Sequence, residues 1–265
     1  MAELALSAGR SRLARIVPWL GLGLAGFAGV MLALAPLGWR LGLWHFRTSF
    51  WELMEPAAFI ASAAFIVSLL TLVRWRAMSG RARLAALLGI VGGALLCYYP
   101  VQFYAKVAPL PLIHNTPLPR IHDITTDPLN PPAFAATLAA RAAEHGASPA
   151  YAGAALYKLQ QEGYPDIAPL DTALPPAEAF KRALAVAETM SRWTIVKSDP
   201  QAGTIEGSAR TLFMGFTDDF VIRVSPNGAG SRIDMRSESR QGISDFGVNA
   251  GRIRDYLAAL KPRLQ

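Results

Sequence analysis

One cysteine, Cys97, stands in a chain of 265 residues, and only 17% of the residues are charged. A single thiol excludes a disulfide framework and a thiolate-rich zinc site. No HExxH, no GxSxG and no Walker loop occurs, so the common hydrolase and transferase signatures are missing. The His, Asp and Glu spacings match no strong metal motif, and no cofactor is implied.

The charge that is present is unevenly placed. Residues 1–104 hold nine basic and three acidic residues, and residues 105–265 hold seventeen and sixteen. The formal net charge of +7 therefore belongs mainly to the apolar first part. A nucleic-acid binder concentrates Lys and Arg on its folded domain, and the second part is nearly neutral, so no nucleic-acid partner is expected.

Three long uncharged runs fill the first part. Ile16–Leu37 is twenty-two residues without a charge, and at about 1.5 Å per helical residue it reaches about 33 Å, enough for a hydrocarbon core of roughly 30 Å. Pro56–Val73 and Leu84–Tyr104 are the second and third runs. Backbone amides in hydrocarbon must pair internally, so each run is read as a helix and 1–104 as a three-span region whose partner is the membrane. Ala33-Leu34-Ala35 has the look of a cleavage site. The apolar stretch exceeds the ~7–15 residues of a signal peptide, which favours an uncleaved anchor.

Arg10, Arg12 and Arg15 precede the first span, and Arg74, Arg76, Arg81 and Arg83 lie between the second and third without an acid. Arg40 and Arg47 in the other loop are offset by Glu52 and Glu55. Basic loops stay in the cytoplasm. This predicts a multi-pass protein of a bacterial inner membrane, with a cytoplasmic N-terminus and a periplasmic C-terminal domain. Gly21, Gly23 and Gly26 spell GxGxxG but follow no strand, so the dinucleotide reading is rejected. Gly21, Ala25 and Gly29 form instead a small stripe along which another helix can approach. The spans hold no ionisable group suited to a transport relay.

Prolines at 109, 111, 117, 119, 128, 131 and 132 make 105–132 an extended arm without regular helix or inner strand. Helices are predicted at Ala133–Glu144 and Pro149–Glu162, and a third after Pro175-Pro176, with Phe180, Ala183, Leu184 and Ala187 on its buried face. Strands follow at Arg192–Lys197, Gly203–Ala209, Thr211–Phe216, Phe220–Ser225 and, after the Pro226–Gly230 hairpin loop, Ser231–Glu238. A last helix, capped by Ser244 or Asp245, turns Ile253, Tyr256, Leu257 and Leu260 inward. The fold class is α+β: residues 133–265 form an antiparallel sheet covered by helices on one face.

The run SRIDMRSESRQGISDFGVNAGRIRDYL, preceded by TIEGSARTLFMGFTDDFVIRV and by IHDITTDPLNPPAF, resembles the bacterial family labelled domain of unknown function 1499. The likeness spans roughly residues 120–260 and is most specific over Asp234–Arg254, with Phe246 where Leu is expected. The three spans are not part of that domain, and the resemblance implies little chemistry.

Strand alternation puts Asp234 and Arg236 on one face of their strand and Asp219 and Arg223 on one face of the strand before it, so the hairpin can join two Asp and two Arg. With Arg240, Asp245, Asn249 and Arg252 they make the candidate ligand-binding corner, since Arg presents a planar fork to carboxylate or phosphate. The competing reading is an ion-pair network that fixes the strand–loop–helix corner. Asn249, on the inward face of the last helix, needs buried partners, such as backbone of the Ser239–Ser244 loop. The function expected is a non-enzymatic module that binds an envelope protein, a lipid headgroup or a polar ligand. The alternative is an envelope hydrolase or modifying enzyme using Asp219, Asp234 or Asp245 with His122.

Overall fold

The computed structural model describes residues 2–107, 118–144 and 148–265, and for 2–15 and 99–107 the backbone alone. The chain divides into two compact units, Met1–Ala105 and Lys106–Gln265.

The first unit contains three helices long and apolar enough to cross a membrane, over Ile16–Arg40, Phe46–Ala77 and Gly80–Tyr98. Helix α1 is Ala2–Arg40. A single turn at Phe46–Thr48 and a wide π turn at Ser49–Met54 lead into α2, Glu55–Thr71, and α3 is Gly80–Val107. Small residues set how closely these helices approach. Ala28, Ala57 and Ala61 are buried together. Gly21 of α1 and Gly89 of α3 both lie against the buried Ser68 of α2, where neither has room for a methyl group, and Gly93 lies against the backbone of Phe65. The small stripe on α1 thus faces the two other helices of its own unit.

The second unit is a six-stranded antiparallel sheet in the order β1-β6-β5-β4-β3, with β2 also on β6. Its strands are β1 Asp123–Thr125, β2 Leu170–Thr172, β3 Trp193–Asp199, β4 Thr204–Arg210, β5 Thr217–Asn227 and β6 Gly230–Ser239. Its helices are α4 Leu138–Ala143, α5 Ala154–Gly163, α6 Pro176–Thr189 and α7 Val248–Leu260. Mixed α+β architecture is what the residue pattern predicts.

Period-two alternation puts Ile205, Phe220, Ile222, Val224, Ile233 and Met235 on one face of the sheet, where α6 and α7 cover them with Phe180, Ala183, Ile253, Tyr256 and Leu260. Trp193 lies 4.0 Å from the Phe220 ring and 5.5 Å from the Tyr256 ring, and the Tyr256 hydroxyl donates to the Ala183 carbonyl at 3.0 Å. Burial pushes the Tyr256 hydroxyl pKa far up, so it remains a donor.

One predicted strand is absent. Residues 211–216 do not form a strand: Arg210 pairs with Thr217 in register, so the six residues between must double back. The Thr211 hydroxyl accepts the Phe216 N–H at 2.8 Å, and Gly215 takes φ +73°. The proline-rich arm, in which no inner strand is expected, supplies an edge strand. Between Pro119 and Pro128 nothing blocks pairing, and Asp123–Thr125 adds to β6 with Asp123 opposite Glu238 and Thr125 opposite Arg236.

Candidate functional site

Along one face of β6 every second residue is charged, with alternating sign: Arg232, Asp234, Arg236, Glu238 and Arg240. A strand of this composition would be expected to turn that face to water. Instead Asp234, Arg236, Glu238 and Arg240 are all buried, so both faces of β6 are covered. Residues 123–144 and 148–151 supply much of the second cover. Phe134 lies under the guanidinium groups of Arg141 and Arg236, at 5.2 and 4.8 Å, and Tyr151 lies 5.6 Å from that of Arg236.

Each buried charge has a defined partner. Arg236 grips Asp123 with two parallel bonds of 2.9 and 2.8 Å, and its Nη2 also reaches Glu238 at 3.3 Å and the Pro149 carbonyl at 2.8 Å. Glu238 is held from α4 by Arg141 at 3.2 Å, and Arg141 also pairs with Asp219 at 3.1 Å. Arg240 closes on the same Asp219 at 2.8 Å and on Glu144 at 2.7 Å, while the Ser208 hydroxyl donates to Asp219 at 2.8 Å. Asp123, Glu238 and Asp219 therefore form a row of three carboxylates across β1, β6 and β5, set by strand register and interleaved with Arg141, Arg236 and Arg240. Burial, with the negative charge of Asp123, pushes the Glu238 carboxyl up to about 8 against the pull of Arg141 and Arg236; Asp219 adds to the rise.

One carboxylate works on backbone instead. Glu206 of β4 accepts the N–H groups of Ala135, Ala136 and Thr137 at 2.8–3.1 Å and the Thr137 hydroxyl at 2.6 Å. These donors stand in the turn that enters α4, whose N-cap residue is Thr137, so a strand about 70 residues away fixes the start of that helix.

At the other end of the ladder the charges reach solvent. Arg223 and Arg232 both contact Asp234, at 3.0 and 3.1 Å, and both contact Asp127, at 2.8 and 3.5 Å. Their side chains are 20% and 36% exposed, against 1% for Asp234.

The remaining corner residues are on the opposite face, at the entry to α7. Asp218 pairs with Arg252 at 2.5 Å, and Arg252 also donates to the Asn249 side-chain Oδ1 and to the Ser237 hydroxyl. The Asn249 amide donates to the His122 carbonyl and the Ser239 hydroxyl, each at 2.9 Å. Asp245 accepts the N–H groups of Gly247 and Asn249 at 2.9 and 2.7 Å, so it caps α7, and burial raises its carboxyl pKa.

The eight corner residues thus separate into groups. Arg223 and Asp234 meet directly; Asp219 pairs with Arg240, with Arg141 on its other oxygen; Asp245, Asn249 and Arg252 hold the loop before α7. Asp219 and Arg236 do not pair with each other but are each satisfied by other groups. Arg141, Asp123, Glu238, Glu206, Asp127 and Arg232 were not among the sequence candidates. The alternating charges of β6 point to Arg232 and Glu238, whereas nothing local points to Arg141 or Glu206. The His122 ring meets the Ser239 carbonyl at 3.2 Å, and Asp219, Asp234 and Asp245 bond to arginine, hydroxyl or backbone N–H groups. Among the described residues no cluster of three or more His, Cys, Asp or Glu is arranged to hold a metal ion.

The family described as "Protein of unknown function (DUF1499)" matches residues 123–260, just over half of the chain. The chain belongs to this family. The match begins at the first residue of β1 and ends at the last residue of α7, so it takes in both the charged ladder and the apolar core. The three apolar helices precede it. No curated protein matches the chain. Among solved structures, it is similar to Ara h 8.0201 at 13% identity, over 36% of this chain and 93% of that one, with a TM-score of 0.28. It is similar to TTHA0849 from Thermus thermophilus at 13% identity, over 37% and 94%, with a TM-score of 0.23. It is similar to CalU16 from Micromonospora echinospora at 16% identity, over 36% and 74%, with a TM-score of 0.22.

Proposed function

We propose that this DUF1499 protein is a multi-pass protein of a bacterial inner membrane whose α+β domain stands in the periplasm as a non-catalytic binding or scaffold module. Its partner is an envelope protein, a lipid headgroup or another polar ligand. The observation that carries the reading is the division of labour along the charged ladder. The inner arginines are buried against carboxylates of the same domain, and Arg223 and Arg232 come to the surface at one end. Two adjacent guanidinium groups sharing Asp127 and Asp234 offer a fork to an incoming anion. Asp219, Arg236 and Arg240 hold the strands beneath, and Asp245, Asn249 and Arg252 fix the loop before α7.

Orientation rests on the arginine bias between the spans. An alkaline phosphatase fused after Gln265 should be active, and a fusion within the turn between α2 and α3 should be inactive; the opposite pattern inverts the topology. For binding, thermal unfolding of the full chain is compared with its Arg232→Ala variant across phosphate, carboxylate and divalent-metal ligands. A ligand of the folded state raises the melting temperature. The expected result is a ligand that shifts the wild type and not the variant, with the unliganded melting points alike. A panel that shifts neither protein refutes the small-ligand form of the proposal.

A further inference from the structure

The turn between α2 and α3 carries four arginines within ten residues, Arg74, Arg76, Arg81 and Arg83. After Thr71 the second helix tightens into a 3-10 coil over Leu72–Ala77, where Arg74 leaves helical geometry at φ −109°, ψ 20°. Two residues, Met78 and Ser79, then reverse the chain into α3, with Met78 buried beside Ala82 and Ala86. Arg74, Arg76, Arg81 and Arg83 are thereby brought to one end of the helix pair. Arg83 is fixed in place: its Nε donates to the Trp75 carbonyl at 3.0 Å and its guanidinium lies 5.2 Å from the Trp75 ring centre.

Acids are scarce in this part of the chain. Residues 1–104 contain three acids, Glu3, Glu52 and Glu55. Glu52 and Glu55 are at the opposite end of α2, and the Glu3 side chain lies outside the described residues. Arg76 and Arg81 are exposed and have no ion-pair partner among the described residues. Orienting the spans needs only positive charge; it does not need an arginine fixed on a tryptophan. Crowded guanidinium groups at the end of two apolar helices call for an anion at headgroup depth, and Trp75 is of the residue type that settles there.

We propose that the Arg74–Arg83 turn binds the phosphate of an anionic phospholipid headgroup, with Arg76 and Arg81 as the phosphate contacts and the Trp75–Arg83 pair as the group that positions the turn. This rests on the membrane reading above, and the test separates the two. The full chain is extracted from membranes, purified in a neutral detergent, and offered equal amounts of phosphatidylglycerol and phosphatidylcholine. Bound lipid is then counted by native mass spectrometry. The wild type should retain phosphatidylglycerol roughly thirtyfold over phosphatidylcholine, the size that about 1 kcal/mol for each of two arginines gives. Arg76→Gln with Arg81→Gln should bring the ratio to near one. Arg76→Lys with Arg81→Lys keeps the orienting charge and should lower the ratio at least about threefold, through loss of the planar fork. Arg40→Gln with Arg47→Gln removes the same charge elsewhere and should leave the ratio unchanged.

Equal retention of both lipids by the wild type overturns the proposal, and so does a ratio lowered equally by the Arg40 and Arg47 changes. Displacement of phosphatidylglycerol by millimolar inorganic phosphate overturns the lipid assignment in favour of free phosphate. A chain recovered from the aqueous fraction before detergent is added refutes the membrane reading itself.

Discussion

Arg236 and Asp123 are 113 residues apart in sequence and meet through two parallel hydrogen bonds, Nε to Oδ1 at 2.9 Å and Nη2 to Oδ2 at 2.8 Å. Both are buried, and the pair ties the segment that carries the prolines to the strand at the centre of the charged ladder. Removing Asp123 takes from Arg236 its two-bond partner in a place water does not reach and leaves it one contact to Glu238 at 3.3 Å. Asp123→Ala should therefore cost about 3–5 kcal/mol. Arg236→Met in the same chain should recover much of that loss, since an apolar side chain of similar length has no charge to desolvate. Urea unfolding of the two single variants and the double variant measures the coupling. Additive losses would show that the pair is held by the rest of the network and not by each other.

Glu206 gives a sharper local test. Its carboxylate satisfies three backbone donors at the start of α4, a six-residue helix that could not persist without outside support. Glu206→Ala removes the acceptor of all three donors, of which Thr137 is buried, and should cost about 1–3 kcal/mol. Hydrogen exchange at Ala135, Ala136 and Thr137 should accelerate first, ahead of the strands. Exchange that rises uniformly through the domain would mean that Glu206 supports the whole sheet and not this cap.

How much of this was legible in the residues varies with the range of the interaction. The apolar face of the sheet could be read from Ile233 and Met235 alternating with Asp234 and Arg236, and α7 from Ile253, Tyr256, Leu257 and Leu260 at helical spacing. The apolar helices needed only length and the absence of charge. The strand expected at Thr211–Phe216 failed because its apolar residues are those of a loop closed by Thr211 and Gly215, and apolar composition alone does not separate the two. The charged face was placed correctly by alternation, but its burial was not foreseen, because the cover comes from a proline-rich segment roughly a hundred residues earlier. Arg141 illustrates the limit: in LAARAA it is an ordinary helical arginine, and only the fold delivers it to Asp219 and Glu238.

Glu238 predicts how stability depends on pH. Its folded-state pKa is raised to about 8 by burial and by Asp123, against about 4.5 in the unfolded chain. The folded state therefore holds a proton that the unfolded state releases, and this group's contribution to stability falls as pH rises from about 4.5 towards 8. Glu238→Gln mimics the protonated form. The variant should melt at a temperature close to wild type near pH 5 and several degrees higher near pH 8, with a flatter pH profile between. Asp245, also raised by burial, contributes a drop of the same sign that the substitution leaves in place. If the profiles of wild type and variant run parallel across this range, Glu238 is ionised in the folded protein and Arg141 and Arg236 outweigh its burial.

The apolar helices can be tested through two glycines that differ in what surrounds them. A methyl group at Gly93 would come within 2.8 Å of the Phe65 nitrogen and 2.9 Å of its Cα, both backbone atoms that cannot turn aside. At Gly23 a methyl group would meet nothing within 4 Å. Gly93→Ala must therefore push α3 away from α2, and overpacking of this kind typically costs about 1–3 kcal/mol. Gly23→Ala replaces a poor helix former by a good one without a new contact and should be neutral or slightly stabilising. Thermal unfolding of the full chain in detergent, followed by tryptophan fluorescence, ranks the two. Equal tolerance of both substitutions would show that α2 and α3 do not approach as closely as the glycines allow, and would remove the packing reason for Gly21 and Gly89 beside Ser68 as well.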